Sequence, residues 1–231
     1  REDARFASIT LQDVYGLRQL RAMAAALDQR GAGVSRDLSF EPVPLLRRFW
    51  CGLAQAVTLP VILFLLSAQW LGIFVVFQML DADELGFAGQ VFSLLGVYVA
   101  ITVITSFIGI AGKWLAIGRM KAGVYPLWGS YYFRWWLASR FTSLIKAKWF
   151  QGTPVMAAYM RLMGARIGRD VIISDFDAGS IDLISIGDRV TTGAKTKFAN
   201  VEIVGNRLIV GTITIGDDAY IGTSSVIGEN A

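Results

Sequence analysis

Apolar positions along this chain change their spacing three times, and each spacing predicts a different element. Between Phe6 and Arg30 they fall at Val14, Leu17, Leu20, Met23, Ala24 and Leu27, the spacing of an amphipathic helix. Residues 31–44, GAGVSRDLSFEPVP, lose that spacing and hold two Gly, two Pro and two Ser, which predicts a linker. Phe49 to Leu80 and Leu85 to Gly112 then contain no charged residue at all. Each run exceeds the roughly 20 residues needed to cross a bilayer. The first is too short for two crossings, so the pattern predicts one hairpin of two spans over 47–121, with Pro60 as a kink point in the first. A buried helical core is the competing reading of so long an uncharged stretch.

The last spacing is six. An aliphatic residue followed by Gly recurs at Ile167-Gly168, Ile186-Gly187, Ile215-Gly216, Ile221-Gly222 and Ile227-Gly228. Six is neither a helical nor a strand period. A left-handed parallel β-helix accounts for it. The aliphatic residue points into a triangular prism, and the small residue beside it permits the corner. The period is lost in AKTKFANVEIVGNRLIVGT, from Ala194 to Thr212, which predicts a loop projecting from the prism. An antiparallel sheet with Gly-Asp turns is the alternative. The expected fold is therefore mixed, with two transmembrane α-helices and a left-handed β-helix over 164–231. The chain starts at Arg1 and stops within a hexad, so it is expected to be a fragment of a longer polypeptide.

Composition sharpens the membrane reading. Hydrophobic residues make up 54%, mean hydropathy is +0.50 and only 17% of residues are charged. A lone Cys51 excludes an internal disulfide framework and reads as a plain apolar residue. No metal site is expected. Charge supplies an orientation. Arg47 and Arg48 precede the first span, and Lys113, Arg119 and Lys121 follow the second. The connecting DADE, Asp81 to Glu84, has no base. The positive-inside rule puts both outer ends in the cytosol of an inner or plasma membrane protein, so the front part and the prism share that side.

From Lys113 to Arg169 there are ten bases and no acid. Inside lies YPLWGSYYFRWWLASRFTSLIKAKWF, and residues 122–163 are read as a membrane-interface segment of helices. Trp128, Tyr131, Tyr132, Trp135 and Trp136 suit the headgroup level, while Arg134 and Arg140 reach anionic phosphates. Beside two spans, membrane lipid is the expected partner and nucleic acid is not. An anionic substrate phosphate is a third reading for some of these bases. A flat prism face also makes a homo-oligomer one of the expected assemblies.

The hexads resemble those of the hexapeptide-repeat acyltransferases, whose usual general base is a His on a loop that interrupts the prism. This chain has no His. Its interrupting stretch reads KFANVEI, with Ala199 and Asn200 near the expected place. Asn200, Glu202 and Lys197 are the catalytic candidates left there, and Asp175 and Asp177 in SDFDAG are candidates for binding an amine. Corner chemistry is the competing role for those two aspartates.

Three segments in order carry a closer resemblance: KWLAIGRMKAGVYPLWGSYYFRWW, GTPVMAAYMRLMGARIGRDV and the hexads after them. Together they resemble the membrane-bound C-terminal region of ε-poly-L-lysine synthetase-type nonribosomal peptide synthetases. ITLQDVYGLRQLRAMAAAL, within residues 1–30, is similar to the last helices of a peptidyl carrier domain. The resemblance implies a parent with an adenylation domain using ATP and a carrier bearing phosphopantetheine, both outside this chain. It implies that the prism receives an aminoacyl thioester from the carrier, and that an amine attacks its carbonyl. Tethering would raise the effective concentration of that donor. Two readings stay open beside it: a membrane-associated coenzyme A-dependent O- or N-acyltransferase, and a non-catalytic scaffold that docks the carrier.

Overall fold

The structure, a computed structural model, describes residue 40 and residues 42–79, 82–228 and 230–231. The carrier-helix reading for 1–30, and most of the linker, lie outside the described residues.

Two helices come first, α1 (Leu45–Met79) and α2 (Ala82–Ala116), the second interrupted by non-helical backbone at Gly86. α1 is 35 residues long, about 52 Å at 1.5 Å per residue, and α2 from Gly86 to Ala116 is 31 residues, about 46 Å, both well beyond a roughly 30 Å hydrocarbon core. Both are apolar and long enough to cross a membrane. Their outer faces carry Phe64, Trp70, Phe87 and Phe92, all more than 70% exposed. Water does not tolerate so continuous an apolar surface, whereas lipid does. The buried-core reading fails on that exposure. Between the helices, Gln69 Nε2 donates to Thr105 Oγ1 (3.0 Å) and to the Leu144 carbonyl (2.9 Å).

The chain then turns back along α2. A strand, β1 (Gly123–Pro126), leads into helix α3 (Ser130–Thr142), which packs on α2. Gly112 makes the approach possible, because a Cβ there would lie 2.3 Å from the Phe141 ring. Arg134 Nε donates to the Ala116 carbonyl (2.8 Å), placing a cation at the C-terminal end of α2, where the helix dipole favours it. After a short 3₁₀ turn (Ala147–Phe150), helix α4 (Pro154–Leu162) begins with Pro at its first turn. Its buried Met156, Tyr159 and Met160 enter the same core as the strands that follow. The segment read as one interface stretch over 122–163 is thus a strand, two helices and a 3₁₀ turn, and α4 closes the base of the next unit.

That unit is three passes of short strands. The first pass is β2 (Arg166–Ile167), β3 (Ile172–Ile173) and β4 (Asp177–Ala178). The second is β5 (Ile184–Ile186), β6 (Thr191–Thr192) and β7 (Lys197–Ala199), and the third is β10 (Ile213–Ile215), β11 (Tyr220–Ile221) and β12 (Val226–Gly228). Corresponding strands stack as three sheets, β10-β5-β2, β11-β6-β3 and β12-β7-β4, and every pairing among them is parallel. The antiparallel alternative is thereby excluded for the hexads. Inward residues form columns: Ile167, Ile186, Ile215; Ile173, Thr192, Ile221; Ala178, Phe198, Ile227.

The Ile-Gly-Asp signature has a stacking reason. Asp217 Oδ1 accepts from the Asp188 N–H (2.7 Å), and Asp188 Oδ1 accepts from the Arg169 N–H (2.7 Å). Each aspartate therefore reaches one pass down and lies against the Gly below it. A Cβ on Gly187 would be 2.2 Å from Asp217 Oδ1 and 2.7 Å from the Asp217 nitrogen, whereas one on Gly216 meets nothing within 4 Å. Gly187→Ala should cost about 1–3 kcal/mol and Gly216→Ala almost nothing, read as midpoints of thermal unfolding in detergent. Equal midpoints for the two variants would refute the stacking account.

One inward position is polar. Thr192 is fully buried in its column, and its hydroxyl has no hydrogen-bond partner among the described residues. Thr192→Val keeps the shape and removes the unmet group. We expect it to stabilise the protein by about 1 kcal/mol, a rise of a few degrees in the same melt.

Candidate functional site

The break in the hexads is narrower than its sequence suggests. Lys197–Ala199 stays in the stack as β7, and the excursion is a hairpin of β8 (Val201–Val204) and β9 (Arg207–Val210). The neck closes where the Gly211 N–H donates to the Asn200 carbonyl (2.8 Å). On the far edge of the hairpin, β1 adds antiparallel to β9, so the segment just after α2 holds the projection in place.

The five sequence candidates fall into different environments. Asn200 is fully buried at the neck. Its Oδ1 accepts from the Ser180 N–H (3.1 Å) and its Nδ2 donates to the Ser180 carbonyl (2.6 Å), which joins two successive passes. Asp175 completes a shortened corner. Ile173 to Ala178 is one residue shorter than the equivalent Thr192 to Phe198 above it. The regular corner has a backbone carbonyl, Ala194, taking the Ser224 N–H from the pass above (2.8 Å). Here Asp175 Oδ2 takes the Lys195 N–H instead (3.2 Å), while Oδ1 accepts from Gln151 Nε2 and the Phe176 N–H, both at 2.8 Å. Asp177 and Lys197 are exposed and share one register position on neighbouring strands, placing opposite charges side by side. Glu202 lies on the exposed side of β8.

The aromatic block is used inside the fold. Tyr131 stacks on Tyr125 with centroids 3.6 Å apart, accepts from the Lys121 N–H and donates to the Lys121 carbonyl. Burial pushes its phenol up to about 12, so it stays a neutral donor. Trp128, Tyr132 and Trp135 run ring to ring, and Trp135 Nε1 donates to the Gly179 carbonyl (3.0 Å), fastening α3 to the stack. Trp136 stacks on Phe133, and Arg140 is exposed in the last turn of α3. The Arg48 guanidinium lies over Trp128, 5.6 Å from the ring centre.

Two features escape a sequence reading. The first is an ion pair at the junction of α2 and the stack. Lys113 Nζ and Asp182 Oδ2 are 3.2 Å apart, and each side chain is 2% exposed. The ammonium also donates to the Met163 carbonyl (3.0 Å), and the Met120 N–H donates to the same Asp182 oxygen (2.6 Å). Sequence offers Lys113 only as a base ending an apolar run, and nothing marks Asp182 as its partner 69 residues later. The second feature is an open cleft of about 540 Å³ beside that pair. Trp114, Arg119, Arg161 and Arg166 line it together with Asp182, and they come from α2, the turn after it, α4 and β2. With Asp182 taken by Lys113, the cleft is cationic and suited to an anion.

No family model matches the chain, and no solved structure matches it. Among characterised proteins, a delta-poly-L-ornithine synthetase from Acinetobacter baumannii is 32% identical over 236 aligned residues, a match that takes in the whole of this chain. The chain spans 18% of that relative's length. The resemblance carried by the aromatic block and the hexads is borne out at this level: from end to end, the chain is similar to one portion of a poly-amino-acid synthetase.

Proposed function

We propose that this chain is the membrane-anchored portion of a poly-amino-acid synthetase, in which the strand stack, a left-handed parallel β-helix, receives an aminoacyl thioester from a carrier domain of the same polypeptide for amide-bond formation. The carrying observation is the end-to-end similarity to delta-poly-L-ornithine synthetase. In the reaction an amine nitrogen attacks the thioester carbonyl, the C–S bond breaks, and the phosphopantetheine thiol leaves with a proton. Phosphopantetheine and ATP belong to domains outside this chain. The hairpin anchors the protein in the cell membrane with lipid as partner and both ends cytosolic. The arginines and aromatic rings of 122–163 face the headgroups wherever the fold leaves them exposed. Lys197 and Glu202 are the groups we assign to proton transfer at the acceptor amine and Asp177 the group we assign to binding it, while Asn200 and Asp175 join passes.

The test uses the intact parent enzyme, a loaded carrier and a labelled free amine. Amide product from the carrier thioester but not from a coenzyme A thioester is the expected result. Equal product from coenzyme A would replace the reading with a coenzyme A-dependent acyltransferase. Carrier binding without transfer would favour the scaffold reading, which the absence of His already supports.

A further inference from the structure

The cationic cleft has an apolar groove beside it. About 390 Å³ of groove runs beside α2 from Tyr98 past Val103 and Phe107 to Ile110, with Phe150 and Leu162 as its far wall. Thr102 and Ser106 also line it, but their hydroxyls turn back to the Tyr98 carbonyl (2.8 Å) and the Thr102 carbonyl (2.7 Å), so only carbon faces the groove from them. Tyr98 to Ile110 spans about 18 Å along the helix. One turn beyond Ile110 is Trp114, whose indole N–H donates to the Leu162 carbonyl (3.1 Å), and next to Leu162 is Arg161. Leu162 of the groove and Trp114 and Arg161 of the cleft are therefore direct neighbours.

Charge is arranged for an amphipathic anion. Arg161 is held in place by the Ile167 and Gly168 carbonyls, to which its guanidinium donates. Arg119 and Arg166 are exposed and line the cleft from opposite elements. Asp182, the acid lining the cleft, is neutralised by Lys113. At the other end of the groove the Lys146 ammonium lies 5.3 Å from the centre of the Trp70 ring and 5.3 Å from that of Tyr98.

We propose that groove and cleft form one binding site for an anionic phospholipid, with an acyl chain along α2 and the phosphodiester between Arg119 and Arg166. A guanidinium fork matches phosphate oxygens, and a chain of methylenes matches a groove whose walls offer only carbon. A water-soluble phosphate would use the cleft and leave the groove bare, so the adjacency of the two favours lipid. The proposal does not depend on the synthetase reading.

The test is native mass spectrometry of the full chain in mild detergent, titrated with phosphatidylglycerol or with phosphatidylcholine of the same chains. Phosphatidylglycerol should bind at least about tenfold more tightly. R119Q/R166Q should weaken it roughly 30-fold and leave phosphatidylcholine unchanged, each base near an anionic headgroup being worth roughly a factor of five. Val103→Trp fills the groove and should weaken both lipids, and Lys146→Met should weaken neither. These positions are exposed or peripheral to the core, and an unchanged melting curve checks that each variant is folded. The proposal is overturned if R119Q/R166Q binds phosphatidylglycerol normally, if Lys146→Met is the variant that loses it, or if millimolar glycerol phosphate displaces the lipid.

Discussion

Asp182→Leu should destabilise the protein more than any other single change at the junction of helix and stack, by about 3–5 kcal/mol. The carboxylate accepts from Lys113 Nζ, from the Met120 N–H and, at 3.3 Å, from the Ser180 hydroxyl. Its removal leaves the buried Lys113 ammonium with one carbonyl and the face of Trp114, 3.8 Å from the ring centre. Neither replaces an opposite charge for an ammonium whose side chain is 2% exposed. In a chain of this length the midpoint of thermal unfolding in detergent should fall by roughly 10 °C. Lys113→Met should cost less, because Asp182 keeps two of its three donors. The double variant Lys113→Met/Asp182→Leu should recover much of the loss, because it leaves no unpaired charge. A double variant as unstable as the sum of the singles would show that the pair contributes through packing and not through charge.

Phe198→Ala should be the most damaging change within the stack, also by about 3–5 kcal/mol. Phe198 is fully buried in β7, between Ala178 below and Ile227 above. Its ring lies 5.2 Å from that of Phe176. A small residue below leaves room that only a large ring fills, so truncation opens a cavity the rigid strand ladders cannot collapse into. Phe198→Leu should retain more than half of the lost stability, measured by urea unfolding of the detergent-solubilised chain. If the Ala and Leu variants unfold together, the ring does not fill the column.

These two side chains differ in how far they could be read in advance. Phe198 sits where the hexad pattern vanished, and the cause is visible one position earlier in the stack. The inward residue before it is Thr192, so the aliphatic-Gly signature is missing although the strand path continues. Pattern reading therefore opened the projection at Ala194, several residues before the chain leaves the stack at Asn200. At SDFDAG the sequence left two roles open, amine binding and corner chemistry, and only the tertiary structure shows Asp175 taking the place of a backbone carbonyl at a shortened corner. In the aromatic block, abundance of Trp, Tyr and Arg suggested a surface, and the structure adds contacts within the fold, Arg134 Nε donating to α2 and Trp135 Nε1 to the stack.

By itself the sequence determined what depends on neighbours a few residues apart. Two uncharged runs of membrane length, a six-residue recurrence of Ile-Gly and the position of its interruption are local patterns, and local backbone preference and solvent contrast turn them into helices and stacked strands. The tertiary structure alone decided which distant residues meet. Lys113 finds Asp182 because α2 ends against the corner after the first pass. β1 finds β9 because the chain doubles back before the hairpin projects. Arg119, Arg161 and Arg166 face one cleft because a turn, a helix and a strand converge there. Such meetings follow from the path of the whole chain, and a short period in the sequence carries no record of that path.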